Sequence, residues 1–497
     1  KSQMKKKMSK NQIRAANPKS SVWVSASAGT GKTRVLVNRI LRLLLSGTEP
    51  ERILCLTFTR AAAAEMSIRL NSQLSKWETM SNNLLSDSVE SLTSQKPDKK
   101  VLIRAKSLFA LVTESSEGIK TETLHGFCQS ILRRFPIESG VPPQFRIADE
   151  KLQSELLYSV RSRIFTKARR GDDINLSNAL AYISAIISEY EFEKLVSEVI
   201  TERKRLQNYF HLFSNVSGMI NSVASKLEIS DSESYQSLTN NFSNKSFFDW
   251  KKVSYIAKLC STGNKTEKKW GDNTLLWLNS RQEIRAQTTQ KYVESFFNKS
   301  GGILAHLPGK KLISLNPDLL EIFNTERQRV KVFLEKTRSI KIFERTKSLI
   351  YLSFHLIEDY DFEKARSGIL DYDDQINLAN KLLTNPELAL WVLFKLDGGL
   401  DHILVDEAQD VSQIQWDIIS SLCSEFFDNS NDGDRKKTIF IVGDEKQSIF
   451  SFQGADPHIM ESTRKHFRKR AISTKFKWTE IPLAKSYRST IPILKLV

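Results

Sequence analysis

A short segment near the start of the chain has the residue types that bind a chain of phosphates. It lies between an apolar run and an amphipathic stretch, and it comprises Ala26, Ser27, Ala28, Gly29, Thr30, Gly31, Lys32 and Thr33. Gly29 and Gly31 allow the backbone to curl so that its N–H groups point at phosphate oxygens. Lys32 would neutralise the β- and γ-phosphates, and Thr33 would offer a hydroxyl to Mg²⁺. The segment therefore predicts a P-loop in which Ala26 replaces the usual first glycine.

Two adjacent acids follow a later apolar run. Asp406 and Glu407 come directly after residues 403–405, which are Ile, Leu and Val. Alone, such a pair is more often the capped start of a helix or a solvated strand edge. Beside a P-loop it favours nucleotide hydrolysis, because Asp406 would hold the Mg²⁺ shell and Glu407 would polarise the attacking water as a general base.

A third polar segment, residues 443–456, follows another apolar run. Gln447 within it is able to reach a γ-phosphate. Phe450 and Phe452 lie close behind it, so the segment could report the nucleotide state to nucleic-acid bases stacked on their rings. Such stacking contributes about 1–3 kcal/mol per base. The alternative for each ring is a place in the hydrophobic core.

These three segments, in this order, resemble motifs I, II and III of the UvrD/Rep-type superfamily 1 helicases. Other segments are similar to further motifs of that family. They are Gln12 (the adenine-reading glutamine), residues 56–66 (motif Ia), 123–128 (motif Ib), 370–376 (the short acidic segment before motif II) and 483–489 (motif IV). A P-loop NTPase outside nucleic-acid metabolism would explain Lys32 and Asp406, but not motifs Ia, Ib and IV together.

The resemblance implies functional residues for ATP, Mg²⁺ and DNA. Gln12 would read the adenine, and Arg34 and Tyr487 would lie on its two faces. Gln447 would sense the γ-phosphate, and Arg488 would be one of two arginines that stabilise charge on the transferring phosphoryl group. The residues implied in DNA binding are Phe58, Thr59, Arg60, His125, Phe450 and Phe452.

Within the family, three details resemble the AddA branch: residues 23–33, residues 125–128 of motif Ib, and Phe452 with Gln453 in motif III. This implies an ATP-dependent helicase that acts on single-stranded DNA and double-strand ends in break repair, beside an AddB-like nuclease partner. The family's motifs V and VI and its nuclease domain would lie beyond Val497. We therefore expect an N-terminal part of such a protein. The alternative is a catalytically incomplete ATP- or DNA-binding module.

The elements around these motifs predict a RecA-like motor domain with a parallel α/β sheet. Short apolar runs alternate with amphipathic stretches from residue 22 to 146 and again from 403 onward, which is typical of such a sheet. Between them, apolar residues recur at helical spacing and predict a mostly helical insertion. Residues 212–268 have weaker periodicity, and we assign them no regular structure. The expected segments are a basic flexible tail (1–10), a first motor segment (11–149), the helical insertion (150–365), a second motor segment (366–480) and the start of a second motor domain (481–497).

The composition of the 497-residue chain favours several domains and a polyanionic partner. Its formal net charge of +17 and isoelectric point near 9.5 favour nucleic acid. We interpret the lysines of residues 1–10 as a solvated tail, whereas the cations of residues 464–470 are either a solvated helix face or a phosphate track. No apolar run approaches the roughly 20 residues that cross a bilayer, and the four cysteines lack metal-ligand spacing. We expect a cytoplasmic protein that does not contact membranes.

Overall fold

The computed structural model describes most of the chain: residues 9–27, 29–115, 118–230, 233–297, 304, 307–397, 400–427, 436–444, 447, 457–474 and 476–487. The chain divides into two compact units. We call residues 1–149 with 367–497 the sheet unit, and residues 150–366 the helical unit. No helix in the described ranges is long and apolar enough to cross a membrane.

A six-stranded sheet forms the centre of the sheet unit. The strands of this unit are β1 (Ser21–Ala26), β2 (Ile53–Thr57), β3 (Lys120–Thr123), β4 (Arg146–Ile147), β5 (Ile369–Leu370), β6 (His402–Val405), β7 (Thr438–Gly443) and β8 (Trp478–Leu483). The six-stranded sheet has the order β3-β2-β6-β7-β1-β8, and every neighbouring pair in it is parallel, while β4 and β5 form a separate parallel pair. The predicted parallel α/β fold is confirmed, and the carboxyl ends of the six strands meet at one edge.

Helices cover both faces of this sheet. They are α1 (Lys10–Ala15), α2 (Lys32–Leu45), α3 (Arg60–Thr79), α4 (Asn82–Thr93), α5 (Lys99–Glu114), α6 (Leu124–Arg134), α7 (Pro136–Ser139), α19 (Tyr372–Thr384), α20 (Pro386–Asp397), α21 (Gln413–Leu422) and α22 (Pro457–Ser473), with 3₁₀ turns at Pro50–Arg52, Ala408–Asp410 and Ser424–Phe427. Side chains alternate along β1, so Trp23 packs in one core against Trp416 of α21, while Val22 and Val24 pack in the other core. The sheet is therefore buried on both faces, which explains its continuous apolar runs.

The helical unit contains α8 (Glu150–Arg170), α9 (Ile174–Ser184), α10 (Glu189–Thr201), α11 (Arg203–Leu212), α12 (Val216–Lys226), α13 (Tyr235–Ser243), α14 (Trp250–Cys260), α15 (Lys265–Asn279), α16 (Gln282–Glu294), α17 (Lys310–Leu315) and α18 (Asp318–Ser367), with a 3₁₀ turn at Lys245–Phe247. Residues 212–268, to which we assigned no regular structure, include three complete helices. Several of the polar residues that weaken the periodicity here are helix caps: Ser234 forms a capping box with Ser237, and Asn264 forms one with Glu267.

The end of the sheet unit differs from the boundary that the sequence suggested at residue 481. Strand β8 continues to Leu483, and its whole length pairs with β1. The proposed start of a second motor domain therefore cuts through an edge strand of the first sheet. At the other end, α1 already begins at Lys10, inside the segment expected to be a flexible tail, while residues 1–8 lie outside the described residues.

One buried histidine in the sheet makes the stability of this unit sensitive to acid. His402 is 5% exposed at the start of β6, and its Nδ1 lies 2.8 Å from Thr438 Oγ1. Burial and the nearby Arg39 lower the pKa of His402 to about 3. In the unfolded chain, histidine has a pKa near 6.5. Between this pKa and the folded pKa of about 3, the unfolded state binds more protons than the folded state. The free energy of unfolding therefore falls as the pH falls through this range. This contribution is about 2 kcal/mol at pH 5.

We expect His402→Asn to lose less stability than the wild type between pH 7 and pH 5 in urea unfolding. His466→Asn on α22 is the matched control, because His466 is exposed. An equal acid sensitivity in the wild type and His402→Asn would show that other groups cause it.

Candidate nucleotide and DNA site

The predicted phosphate loop connects β1 to α2 at the carboxyl edge of the sheet. Gly29 and Gly31 have φ angles of 75° and 86°, a region that disfavours residues with a Cβ. The loop is closed by Thr30, whose hydroxyl donates to Ser27 O at 2.7 Å. Ala28 lies outside the described residues. A Cβ added at Gly31 would lie 3.2 Å from Gln12 Nε2, so this glycine also makes room for a neighbouring side chain.

The two predicted acids lie at the same edge, directly after β6. Lys32 Nζ is 2.5 Å from Glu407 Oε2, and the two side chains are 11% and 34% exposed. Glu407 has a left-handed backbone with φ 50°, which is uncommon for a residue other than glycine, and its N–H donates to Asp406 Oδ1 at 3.0 Å. The fold thus brings together a P-loop lysine and a carboxylate that are 375 residues apart in sequence.

Asp406 is a buried carboxyl group that suits a cation. It is 6% exposed, and burial together with Glu407 raises its pKa to about 6, against the opposing effect of Lys32. A divalent cation would stabilise its charged form. Thr33 in the first turn of α2 adds a hydroxyl oxygen, and carboxylate and hydroxyl oxygens beside phosphates are the donors that Mg²⁺ prefers. Across the described segments, no group of three or more His, Cys, Asp or Glu side chains is placed to hold a metal ion.

The residues implied in adenine binding gather beside the loop. Gln12 is 1% exposed and donates from Nε2 to Thr30 O at 3.0 Å. Tyr487 returns to the same place: its N–H donates to Gly29 O at 2.7 Å and its hydroxyl to Gln12 Oε1 at 3.5 Å. A cavity of about 290 Å³ is lined by Ser9, Lys10, Asn11, Gln12, Thr30, Leu483, Ala484, Lys485 and Tyr487. Arg34 lies in the first turn of α2, partly exposed, and Arg488 is outside the described residues.

The γ-phosphate sensor suggested by the sequence lies just beyond β7. Gln447 is exposed, and its N–H donates to Asp444 O at 2.9 Å. Phe450 and Phe452, the aromatic pair implied in base stacking, are outside the described residues.

A second cavity of about 220 Å³ lies at the carboxyl ends of β2, β3 and β6. Its lining includes three of the residues implied in DNA binding, Phe58, Arg60 and His125, and also Tyr372 at the start of α19. Phe58 is 39% exposed, and the rings of His125 and Tyr372 meet edge to face at 5.7 Å.

Thr59 and His125 differ from the roles that a DNA contact would suggest for them. The Thr59 side chain accepts a hydrogen bond from Ala62 N–H and caps α3, which gives it a structural function. Burial lowers the pKa of His125 against the opposing effect of Asp373, and Arg60 lowers it further. His125 is therefore neutral at pH 7, and Arg60 is the cation among these lining residues.

The motif order and this geometry agree with a comparison against known families. Residues 8–297 and 274–468 match the UvrD/REP helicase N-terminal domain. The chain belongs to the UvrD/REP helicase family. The resemblance inferred from the motifs is thereby confirmed.

Several proteins with assigned names are similar to this chain. The chain is 24% identical to the A subunit of the ATP-dependent helicase/nuclease of Lactobacillus helveticus, covering 98% of this chain and 39% of that protein. It is 26% identical to the protein of the same name from Lactobacillus johnsonii, over 99% of this chain and 39% of the relative. The protein of the same name from Listeria monocytogenes strain EGD-e is 24% identical, covering 95% of this chain and 37% of that protein. The chain thus spans about two fifths of the length of these UvrD/REP relatives.

Sequence reasoning gave no role to two residues of this candidate site. Tyr372 lies inside the acidic segment 370–376, but an aromatic residue at the first position of a helix carries no local signal for a place in this cavity. Gln409 bonds to Glu407, with Nε2 2.8 Å from Oε2, and its place two residues after the acid was the available clue.

Proposed function

We propose that this chain is the nucleotide-binding, N-terminal motor part of an ATP-dependent DNA helicase of the AddA type. One observation carries the proposal: Lys32 of the phosphate loop and Glu407 after β6 are in direct contact, with the buried Asp406 adjacent. A P-loop lysine, a metal-binding acid and a general base at one sheet edge are the parts required for hydrolysis of a nucleoside triphosphate.

Each residue has a defined task in this mechanism. Gln12, Arg34 and Tyr487 hold the adenine beside the phosphate loop, and Lys32 moves from Glu407 to the β- and γ-phosphates. Thr33 and Asp406 are the residues that would hold Mg²⁺, which would neutralise charge on the phosphate oxygens. Glu407, once released by Lys32, accepts a proton from the attacking water.

The substrate that we assign is single-stranded DNA, with double-strand ends as the place of loading. The cavity lined by Phe58, Arg60, His125 and Tyr372 supports this, because it offers aromatic rings on which bases can stack and one cation for phosphate. The relatives are named as one component of a helicase/nuclease, and this name supports a partner that resembles the AddB nuclease.

The decisive experiment is the steady-state ATPase rate of the purified chain with and without single-stranded DNA, beside Glu407→Gln. Stimulation by DNA that the variant loses would support a competent helicase motor. Nucleotide binding without turnover would favour the alternative, a catalytically incomplete ATP- and DNA-binding module. Absence of both ATP and DNA binding at low salt would contradict both.

The contact between Lys32 and Glu407 leads to a prediction for the affinity for ATP. ATP requires Lys32, so the ion pair must break when the nucleotide enters. We expect Glu407→Gln to bind ATP about fivefold more tightly, since a partly exposed ion pair contributes up to about 1 kcal/mol. Binding of a fluorescent ATP analogue measures this. Asp417→Asn on α21 removes the same charge elsewhere and should leave the affinity unchanged, whereas weaker binding by Glu407→Gln would contradict the proposed competition.

We also expect Phe58→Ala to weaken binding of single-stranded DNA about tenfold, because one stacked base is lost. Fluorescence anisotropy of a labelled oligonucleotide at constant salt measures the dissociation constant. Phe394→Ala is the control, since Phe394 on α20 is 69% exposed but lies outside the cavity. An equal loss in both variants would show that stacking on Phe58 contributes nothing specific.

A further inference from the structure

Three hydrogen bonds and the backbone of Asp444 link Glu407 to the segment after β7. Glu407 Oε2 accepts from Gln409 Nε2 at 2.8 Å, and Gln409 Oε1 accepts from the Asp444 N–H at 2.8 Å. Asp444 O in turn accepts from the Gln447 N–H at 2.9 Å. Glu407, the general base of the proposed mechanism, is therefore linked through the Gln409 side chain to the backbone of Gln447, the γ-phosphate sensor that the family resemblance implies.

The Gln409 amide is suited to this connection because its two ends differ. The NH₂ group donates to Glu407 Oε2 and to Asp410 Oδ2 at 3.1 Å, while the carbonyl oxygen accepts from a backbone donor. A primary amide donates from its nitrogen and accepts at its oxygen, as this connection requires. Gln409 is 4% exposed, so water competes little for these bonds.

The backbone at Gly443 is shaped around the same amide. A Cβ added at Gly443 would lie 3.0 Å from Gln409 Oε1 and 2.8 Å from Met460 Cε. Contacts this short require the neighbours to shift, so the glycine at the end of β7 allows the amide to reach Asp444.

We propose that Gln409 is a positioning residue that couples Glu407 to Gln447. The inference rests on the proposed function and adds a residue to it. The structure gives Glu407 Oε2 two side-chain donors, Lys32 and Gln409. When Lys32 leaves for the phosphates, Gln409 keeps hold of the carboxylate, and any shift of Glu407 toward the attacking water is transmitted through the amide to the Asp444 backbone. The sensor and the base thus respond to the nucleotide together.

The test is a mutant cycle read out by Mg-ATP affinity on the full chain. Glu407→Ala, Gln447→Ala and the double variant are compared in the wild-type, Gln409→Met and Gln409→Glu backgrounds. Gln409→Glu keeps the length of the side chain and its acceptor for Asp444 but cannot donate to Glu407. Gln375→Met is the matched control, because Gln375 is 1% exposed on α19 and forms a separate bond to Asp371 O.

In the wild-type and Gln375→Met backgrounds, we expect the double variant to differ from the product of the single fold-changes by about fivefold. In the Gln409→Met and Gln409→Glu backgrounds, the fold-change of the double variant should equal the product of the two single fold-changes to within about twofold. Non-additivity that persists without Gln409, or additivity in the wild type, would overturn the proposal. If the proposed function itself is wrong, the result is different: Lys32→Ala will leave the affinity for ATP unchanged.

Discussion

Lys32→Ala is expected to raise the dissociation constant for Mg-ATP about 100-fold. A charge-assisted hydrogen bond to phosphate contributes about 1.5–3 kcal/mol, and Lys32 would make such bonds to two phosphates. Lys32 begins α2 directly after the glycine-containing loop, and its ammonium group lies beside Glu407 at the carboxyl edge of the sheet. The loss also leaves Glu407 without its cationic neighbour, so the site becomes more repulsive to a polyanion.

Isothermal titration calorimetry with the full chain measures this effect. Lys19→Ala is the control, because Lys19 is exposed and the change in net charge is the same. The control should bind ATP like the wild type. A dissociation constant for Lys32→Ala within about threefold of the wild type would remove the P-loop from the proposed mechanism, whatever the variant does to DNA binding.

The candidate nucleotide site was accessible to sequence reasoning because its parts are local patterns. The phosphate loop is contiguous, and Asp406 and Glu407 directly follow a buried strand. In a parallel sheet such positions meet at one edge, so the contact between Lys32 and Glu407 follows from the topology once the strands are recognised.

The parts that sequence reasoning missed depend on long-range packing. Strand β3 is half-buried throughout and strand β8 only partly buried, and both lie at sheet edges, where polar residues are tolerated and the apolar signal fades. Tyr372 lines the cavity beside Phe58 and His125 because α19 packs beside α6. Gln409 gains its partner because β6 and β7 are neighbours, which brings Asp444 beside it. No local spacing of residues in the sequence indicates either contact.

Arg39 is another residue whose importance is invisible in the sequence, and we expect Arg39→Met to lower the free energy of unfolding of the sheet unit by about 3 kcal/mol. The guanidinium is 1% exposed and donates to Ala15 O, Asn17 O, Ser20 O and Thr438 Oγ1 at 3.3, 2.7, 2.7 and 3.0 Å. These bonds fix the connection between α1, which carries Gln12, and β1, which leads into the phosphate loop. Removal of the donors leaves several buried acceptors, each costing about 1–3 kcal/mol if unsatisfied.

Arg39→Met also has a stabilising effect that opposes the loss of hydrogen bonds, because it removes a charge that is buried away from water. Burial and the neighbouring Arg42 lower the pKa of Arg39 to about 9, so the guanidinium is still charged at pH 7, but at a cost. We expect the hydrogen bonds to outweigh this relief, because four acceptors depend on one side chain and the apolar methionine satisfies none of them. Urea unfolding measures the balance, with Arg69→Met on α3 as the control, since Arg69 is exposed and pairs with Glu65 at the surface. An Arg39→Met variant as stable as the control would mean that the desolvation cost cancels the four bonds, and the anchoring of Gln12 would then have to come from Arg42, which donates to Ile13 O at 2.8 Å.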